Sequence, residues 1–244
     1  MDALRRIFAG ATAGPDLPPD DGDLRDVTVL GLSVPIRASV AIVATTAIIV
    51  IDQLRWLQRV SYGFPDPSGQ VLDPITVQRF ALFLVVPLGI VLLGFRDRPS
   101  RYGLTLGDWR WGIGLLIAGL VVMLPIILGL SSLEQFRGYY ATHGRPVAGL
   151  VVNHLLELVP AEFLLRGFLM FTLWRRIGPL ALVVQLLPFV LTHVGKPEIE
   201  LWSTFIGGSI FAWLDWRTGS ILWSAIGHIY VLTLMQLAVG GAPV

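Results

Sequence analysis

Four side chains in the C-terminal half of the chain could do chemistry together. Glu162 and Arg166 stand four residues apart in 158-LVPAEFLLRGF-168, His193 ends 188-PFVLTH-193, and His228 lies in 225-AIGHIYVLTL-234. Each sits in an apolar run. On a helix Glu162 and Arg166 share one face, with the acid N-terminal, which is the favourable order. A charged side chain at the centre of a spanning helix costs about 2.5–3.5 kcal/mol on insertion scales, so such residues usually mark function. The plainer alternatives are a structural clamp or an arginine reaching for the headgroups. A carboxylate in a dry cavity can serve as a general base, while imidazoles orient a water and donate to a developing oxyanion. The chain has no cysteine and no serine in a nucleophile-elbow setting, so hydrolysis by an activated water is the economical chemistry. Two histidines and a glutamate are also a zinc donor set with an open position. If a metal takes part, Glu162, His193 and His228 would hold it.

These groups need helices to carry them. Of 244 residues, 54% are hydrophobic and only 14% charged, against about 25% charged in a soluble domain. The chain therefore reads as a membrane protein. A net charge of +1 argues against nucleic acid or another polyanion as partner. A spanning helix needs about 20 mostly apolar residues, and candidate runs lie at roughly 31–51, 79–95, 111–130, 147–175, 178–194, 200–216 and 219–239. The fourth is long and contains Pro160, which would sit in the first turn of a second helical piece. The expected fold is thus an all-α polytopic membrane bundle of seven to eight transmembrane helices. Residues 28–244 form one integral domain, preceded by a flexible or membrane-surface leader, 1–27. In that leader Leu4, Ile7 and Phe8 beside Arg5 and Arg6 could rest on lipid. Arginines at 5, 6, 25, 96, 98, 101, 110, 175, 176 and 217 fall on one side. Arg55, Arg59, Arg79, Arg137, Arg145 and Lys196 fall on the other, which puts the N-terminus in the cytoplasm.

The run 162-EFLLRG-167, then 189-FVLTH-193, then His228 in a C-terminal apolar helix, resembles the CPBP (Abi) family of intramembrane proteases over roughly 147–240. Its pattern is EExxxR, FxxxH and HxxxN/B. The stretches 193-HVGKPEIE-200 and 218-TGSILWSAIGH-228 resemble a bacterial subgroup. The resemblance implies a glutamic protease of the bacterial cell membrane. It would need no cofactor and would act on a membrane-associated or lipidated peptide. Glu162, His193 and His228 would be catalytic, supported by Arg166, Phe189 and Glu200. Two departures touch the chemistry: Ala161 stands where the family has its first glutamate, and Leu232 where it has Asn or Asp. Three readings follow. Glu162 takes the base role; Glu198 or Glu200 supplies the acid; or the chain cleaves nothing and is a scaffold or immunity-type protein. A transporter subunit is a further alternative, since buried Glu, Arg and His also build proton relays, though repeats and paired broken helices are missing.

Several neighbours carry their own expectations. Glu157 lies about 140° round an unbroken helix from Glu162 and should face elsewhere. Asp215 with Trp216 and Arg217 reads as an interfacial helix end, and Lys196 as a headgroup contact. Gln185 either lines a wall with Phe189 and His193 or bonds a neighbouring helix. His143 and His154 have weaker claims to the site. Trp56, Trp109, Trp111, Trp202 and Trp223 are candidate interface anchors.

Overall fold

A bilayer offers no water to backbone N–H and C=O groups, so the apolar runs must satisfy them internally, as helices. In the computed structural model, which describes residue 10 and residues 13–55, 72–141 and 146–240, they do. Leu4, Ile7, Phe8, Trp56, Arg59, His143 and Arg145 lie outside the described residues. A short helix α1 (Asp21–Leu24) leads into an antiparallel hairpin of β1 (Asp26–Val29) and β2 (Leu32–Pro35). Then come α2 (Ile36–Gln53), α3 (Pro74–Phe95), α4 (Trp109–Leu130), the short α5 (Glu134–Tyr140) and α6 (Val147–Ile177). The chain ends with α7 (Leu180–Leu191), α8 (Glu198–Thr218) and α9 (Leu222–Gly240).

The protein is an all-α polytopic membrane bundle. Among the described residues, five helices are long and apolar enough to span: α2, α3, α4, α6 and α9. Each of the seven expected runs is helical, and the two outside these five fall short in length or in apolar character. Helix α7 is made of two short pieces, Leu180–Val184 and Leu186–Leu191, and α8 has 21 residues but carries Glu198, Glu200, Asp215 and Arg217 near its ends. Pro160 does not divide the fourth run. Helix α6 continues through it for 31 residues, and the ladder instead widens to π-type spacing over Phe163–Met170. Widening is one of the ways in which a membrane helix absorbs a proline, and π-type turns often occur at functional sites.

Helix α6 is the axis of the bundle. Every residue from Phe163 to Met170 is buried, packed with Phe83 and Val91 of α3, Ala41 and Ile48 of α2, and Phe189 of α7. Helix α4 is the opposite case: only Gly112 and Ile127 are buried, and the rest of its apolar surface suits lipid. It leans on α9, which in turn packs along α6. Trp109 and Trp202 are exposed, as anchors should be, whereas Trp223 is buried and donates to the Leu106 carbonyl at 3.0 Å.

The two ends of the bundle differ. At one end the described part of the leader is tied down by charge. Asp23 is buried and meets Arg37 at 3.0 Å, Arg101 at 2.8 Å and Arg175 at 3.0 Å, while Asp20 also pairs with Arg37 and Arg101. Arg217 pairs with Asp108 at 3.1 Å on the same end and lies over the Trp111 ring. The far end holds Gln53, Pro74, Tyr140, Val147 and Glu198, and there the bundle is hollow.

Candidate active site

Glu162 is midway along α6, fifteen residues from either end, on a helix about 46 Å long at 1.5 Å per residue. It is fully buried and engages both carboxylate oxygens. Oε1 lies 2.7 Å from His228 Nδ1. Oε2 receives Arg166 Nη1 from one turn later on α6 and lies 3.2 Å from Ser224 Oγ. Ser224 and His228 are themselves four apart on α9, so one face of that helix grips both oxygens. The Arg166 guanidinium is fully buried and sits over the rings of Phe189, at 4.4 Å, and Phe211, at 5.5 Å. One edge is ion-paired and the aromatic faces attract the cation, while Nε and Nη2 have no hydrogen-bond partner among the described residues.

His193 joins from the C-terminal end of α7. Its Nδ1 lies 2.8 Å from the Phe189 carbonyl, a contact in which only an N–H can be the donor. Its ring lies 6.4 Å from that of His228, with planes 14° apart. Phe189 is wedged between these groups, against His193 at 4.6 Å and Arg166, and Gly208 makes room for it. A Cβ at Gly208 would meet Phe189 Cδ1 at 2.6 Å. For both imidazoles the geometry puts the hydrogen on Nδ1, leaving Nε2 as the atom with a lone pair. Neither Nε2 has a protein partner among the described residues.

Above these groups lies a cavity of about 750 Å³. It runs from Glu162, His193 and His228 to the far end of the bundle, where Gln53, Arg55 and Val194 are exposed. Ala161 and Leu232, the two departures from the family pattern, both line it. A second, mainly apolar groove of about 300 Å³ between α4, α8 and α9 reaches the same Phe189, His193 and His228 from the other side.

The structure therefore brings Glu162, Arg166, Phe189, His193 and His228 together. Glu200 is set apart. It bonds Lys196 at 2.8 Å and the Tyr140 hydroxyl at 2.5 Å, at the edge of the apolar groove and outside the lining of the main cavity. Lys196, expected among headgroups, makes that ion pair and lines the cavity. Glu198 lines neither space. Gln185 bonds its own helix, at the Leu182 carbonyl, rather than a neighbour.

Three readings from the sequence need correction. Glu157 faces the cavity and pairs with Arg79, which also meets Asp52 at 3.1 Å. The hollow wraps a broad stripe of α6, with His154, Leu158, Ala161 and Leu165 on it too, so 140° of separation does not take Glu157 out of it. His154 is buried there, 2.7 Å from Thr233 Oγ1. Asp215 is not interfacial: it is fully buried, 2.9 Å from Ser224 Oγ. Residues two apart on a helix are rotated by about 200°, so Arg217 turns to Asp108 while Asp215 turns inward. The spacing of Ser224 and His228 was the signal that could have revealed this second contact.

Among the described residues no group of three or more His, Cys, Asp or Glu side chains is disposed to hold a metal ion. Glu162 directs its oxygens to His228, Arg166 and Ser224.

Residues 143–233 match the family model described as type II CAAX prenyl endopeptidase Rce1-like. No match is found among curated proteins or among solved structures. The matched span contains all five clustered residues and supports protease activity in general. The Rce1-like domain at 143–233, carried in a bundle of membrane-spanning helices, supports membership of the CPBP family.

Proposed function

We propose that this integral membrane protein is an endopeptidase that cleaves a membrane-associated, lipid-modified peptide with a water activated by His228. The observation that carries this reading is the 2.7 Å contact of His228 Nδ1 with Glu162 at the floor of the cavity. A carboxylate that holds Nδ1–H presents Nε2 as a general base. Nε2 takes a proton from water as the water oxygen bonds to the scissile carbonyl carbon. The imidazolium then returns that proton to the leaving amine as the C–N bond breaks. Glu162 orients the ring and offsets its transient charge without taking the proton. His193 Nε2 accepts a hydrogen bond from the water's other O–H, whose proton stays with the new carboxyl group. Arg166 and Phe189 hold Glu162 and His193 in place. No step requires a cofactor.

The polar cavity suits a peptide, and the apolar groove suits a lipid group that ends at the same histidines. A prenyl chain is the natural candidate, given the description of the matched family. The test uses the protein in liposomes containing chelator, with a quenched fluorescent farnesylated peptide and its unmodified twin. We expect cleavage that favours the farnesylated peptide. Failure to cleave either, with or without divalent metal restored, overturns the proposal.

One observation favours a second reading, a non-catalytic scaffold of the same fold. Ala161 and Leu232 line the cavity with no polar atom where the family pattern has an acid and an amide. If native protein is inert while Ala161→Glu/Leu232→Asn cleaves the farnesylated peptide, this second reading holds.

We further assign the leader end to the cytoplasm of a bacterial cell, on the arginine asymmetry, so the cavity mouth faces the opposite compartment. The lack of cysteine makes this simple to check. In intact cells a membrane-impermeant maleimide should label Val194→Cys and spare Leu30→Cys, a position 98% exposed at the hairpin tip. The inverse pattern reverses the orientation.

A further inference from the structure

Asp215 is the buried acid that the proposed reaction leaves unused. It is fully buried near the C-terminal end of α8, and its Oδ1 has no hydrogen-bond partner among the described residues. Its Oδ2 lies 2.9 Å from Ser224 Oγ. That hydroxyl also lies 3.2 Å from Glu162 Oε2 and 2.9 Å from the Ile221 carbonyl oxygen. A serine hydroxyl has one hydrogen to give and two lone pairs to receive. Three acceptors cannot share that hydrogen well. If one carboxyl carries a hydrogen of its own and donates it to Ser224, the acceptors of the serine hydrogen fall from three to two.

Glu162 is the wrong place for it. Its Oε2 already receives Arg166, and its Oε1 faces His228 Nδ1. Charge counting agrees. Glu162 and Arg166 cancel, and all of Glu162, Arg166, Asp215 and Ser224 are fully buried. A second carboxylate there would be an uncompensated buried charge, which a bound proton removes. A neutral acid also leaves Oδ1 as an unpartnered carbonyl oxygen, which costs less than an unpartnered anionic one.

We propose that Asp215 is a neutral carboxylic acid that positions the catalytic carboxylate. Its hydrogen goes to Ser224 Oγ, and the hydrogen of Ser224 is shared between Glu162 Oε2 and the Ile221 carbonyl. The role rests on the reading of Glu162 as the partner of His228. Donation from this side anchors Oε2 and leaves Oε1 directed at Nδ1. An ionised Asp215 would instead repel the carboxylate that it is placed to steady. The relay draws on α8, α9 and α6, so it sets the relative positions of three helices at the site.

The deciding measurement is an infrared spectrum of the full-length protein at neutral pH, in a detergent without carbonyl groups. Solvated carboxyls are ionised there, so the C=O stretch of a protonated carboxylic acid isolates Asp215. We expect that band in native protein and in Glu162→Gln/Arg166→Met, where the two opposite charges leave together, and its loss in Asp215→Asn. Native protein without the band overturns the proposal, as does a band that survives Asp215→Asn or disappears only in Glu162→Gln/Arg166→Met. This measurement needs no proteolysis, so it stands or falls apart from the proposed function. In the cleavage assay, Asn can still donate to Ser224 Oγ. Asp215→Asn should therefore keep kcat within about threefold of native, whereas Asp215→Leu should lower kcat by about tenfold or more at little-changed KM. Equal loss in both variants would count against a donor role.

Discussion

Glu162→Gln is expected to lower the rate of peptide cleavage by about 10⁴-fold, the scale seen when an orienting carboxylate beside a catalytic histidine becomes an amide. The reasoning is geometric. The amide has nearly the same shape, but it carries no charge to offset the imidazolium, and its N–H end can meet His228 Nδ1 and favour the wrong tautomer. A second effect must be separated from this one. Arg166 pairs with Glu162 in a fully buried setting, and breaking a buried pair from one side costs about 3–5 kcal/mol because the other charge is stranded. Glu162→Gln will therefore also be less stable. The double variant Glu162→Gln/Arg166→Met removes both charges and should recover most of that stability, since an apolar replacement of a buried pair is often neutral or better. It should not recover cleavage. Near-native kcat in either variant, measured on folded protein, would show that Glu162 has no part in the chemistry.

A comparable loss of stability is expected far from the site, at Asp23. Its side chain is 1% exposed and meets three arginines drawn from α2, from the α3–α4 connection and from the end of α6. Asp23→Ala leaves Arg37, Arg101 and Arg175 with a reduced set of acids and should cost about 3–5 kcal/mol. The same cluster predicts an acid limb. Burial pushes the Asp23 carboxyl up, but the Arg175 guanidinium, the Asp20 backbone N–H and Arg37 together hold it below the ordinary carboxylate range. Asp20 is lowered too: burial again opposes, and the Asp23 backbone N–H and Arg101 outweigh it. A carboxyl whose folded pKa lies below its unfolded value contributes fully above the unfolded pKa and loses that contribution as pH falls through the folded one. Stability in detergent should therefore be level down to about pH 5 and decline below about pH 4, near the unfolded aspartate value. Tryptophan fluorescence during thermal unfolding reports this directly, since Trp174 and Trp216 sit 5.2 Å apart. Asp23→Ala should flatten the decline. An unchanged acid limb in that variant would assign the pH dependence to other groups.

Much of the site was legible before any coordinates. Glu162 with Arg166 is a one-turn pair, and Phe189 with His193 is another; helical periodicity alone puts each pair on one face. The apolar setting marked Glu162, Arg166 and His228 as residues with a function to justify their burial. The span count was less legible. Charges near the ends of α8 and the two-piece α7 do not show in a plot of apolar runs, and neither does a helix that passes through Pro160 without dividing.

What the sequence by itself determined was the membrane class, the helical architecture, the intramembrane acid–base residues and their spacing on each helix. Those properties are local: they follow from composition and from a repeat of 3.6 residues. Tertiary structure alone decided which helices meet. His228 reaches Glu162 across 66 positions in sequence, and Ser224 joins Asp215 on one helix to Glu162 on another. It also decided that Glu157 faces the cavity, that Glu200 stays outside it, and that the described leader is anchored through Asp23. Contacts of that kind depend on the rotation and depth of each helix against its neighbours, which side-chain packing sets and which no stretch of a single helix encodes.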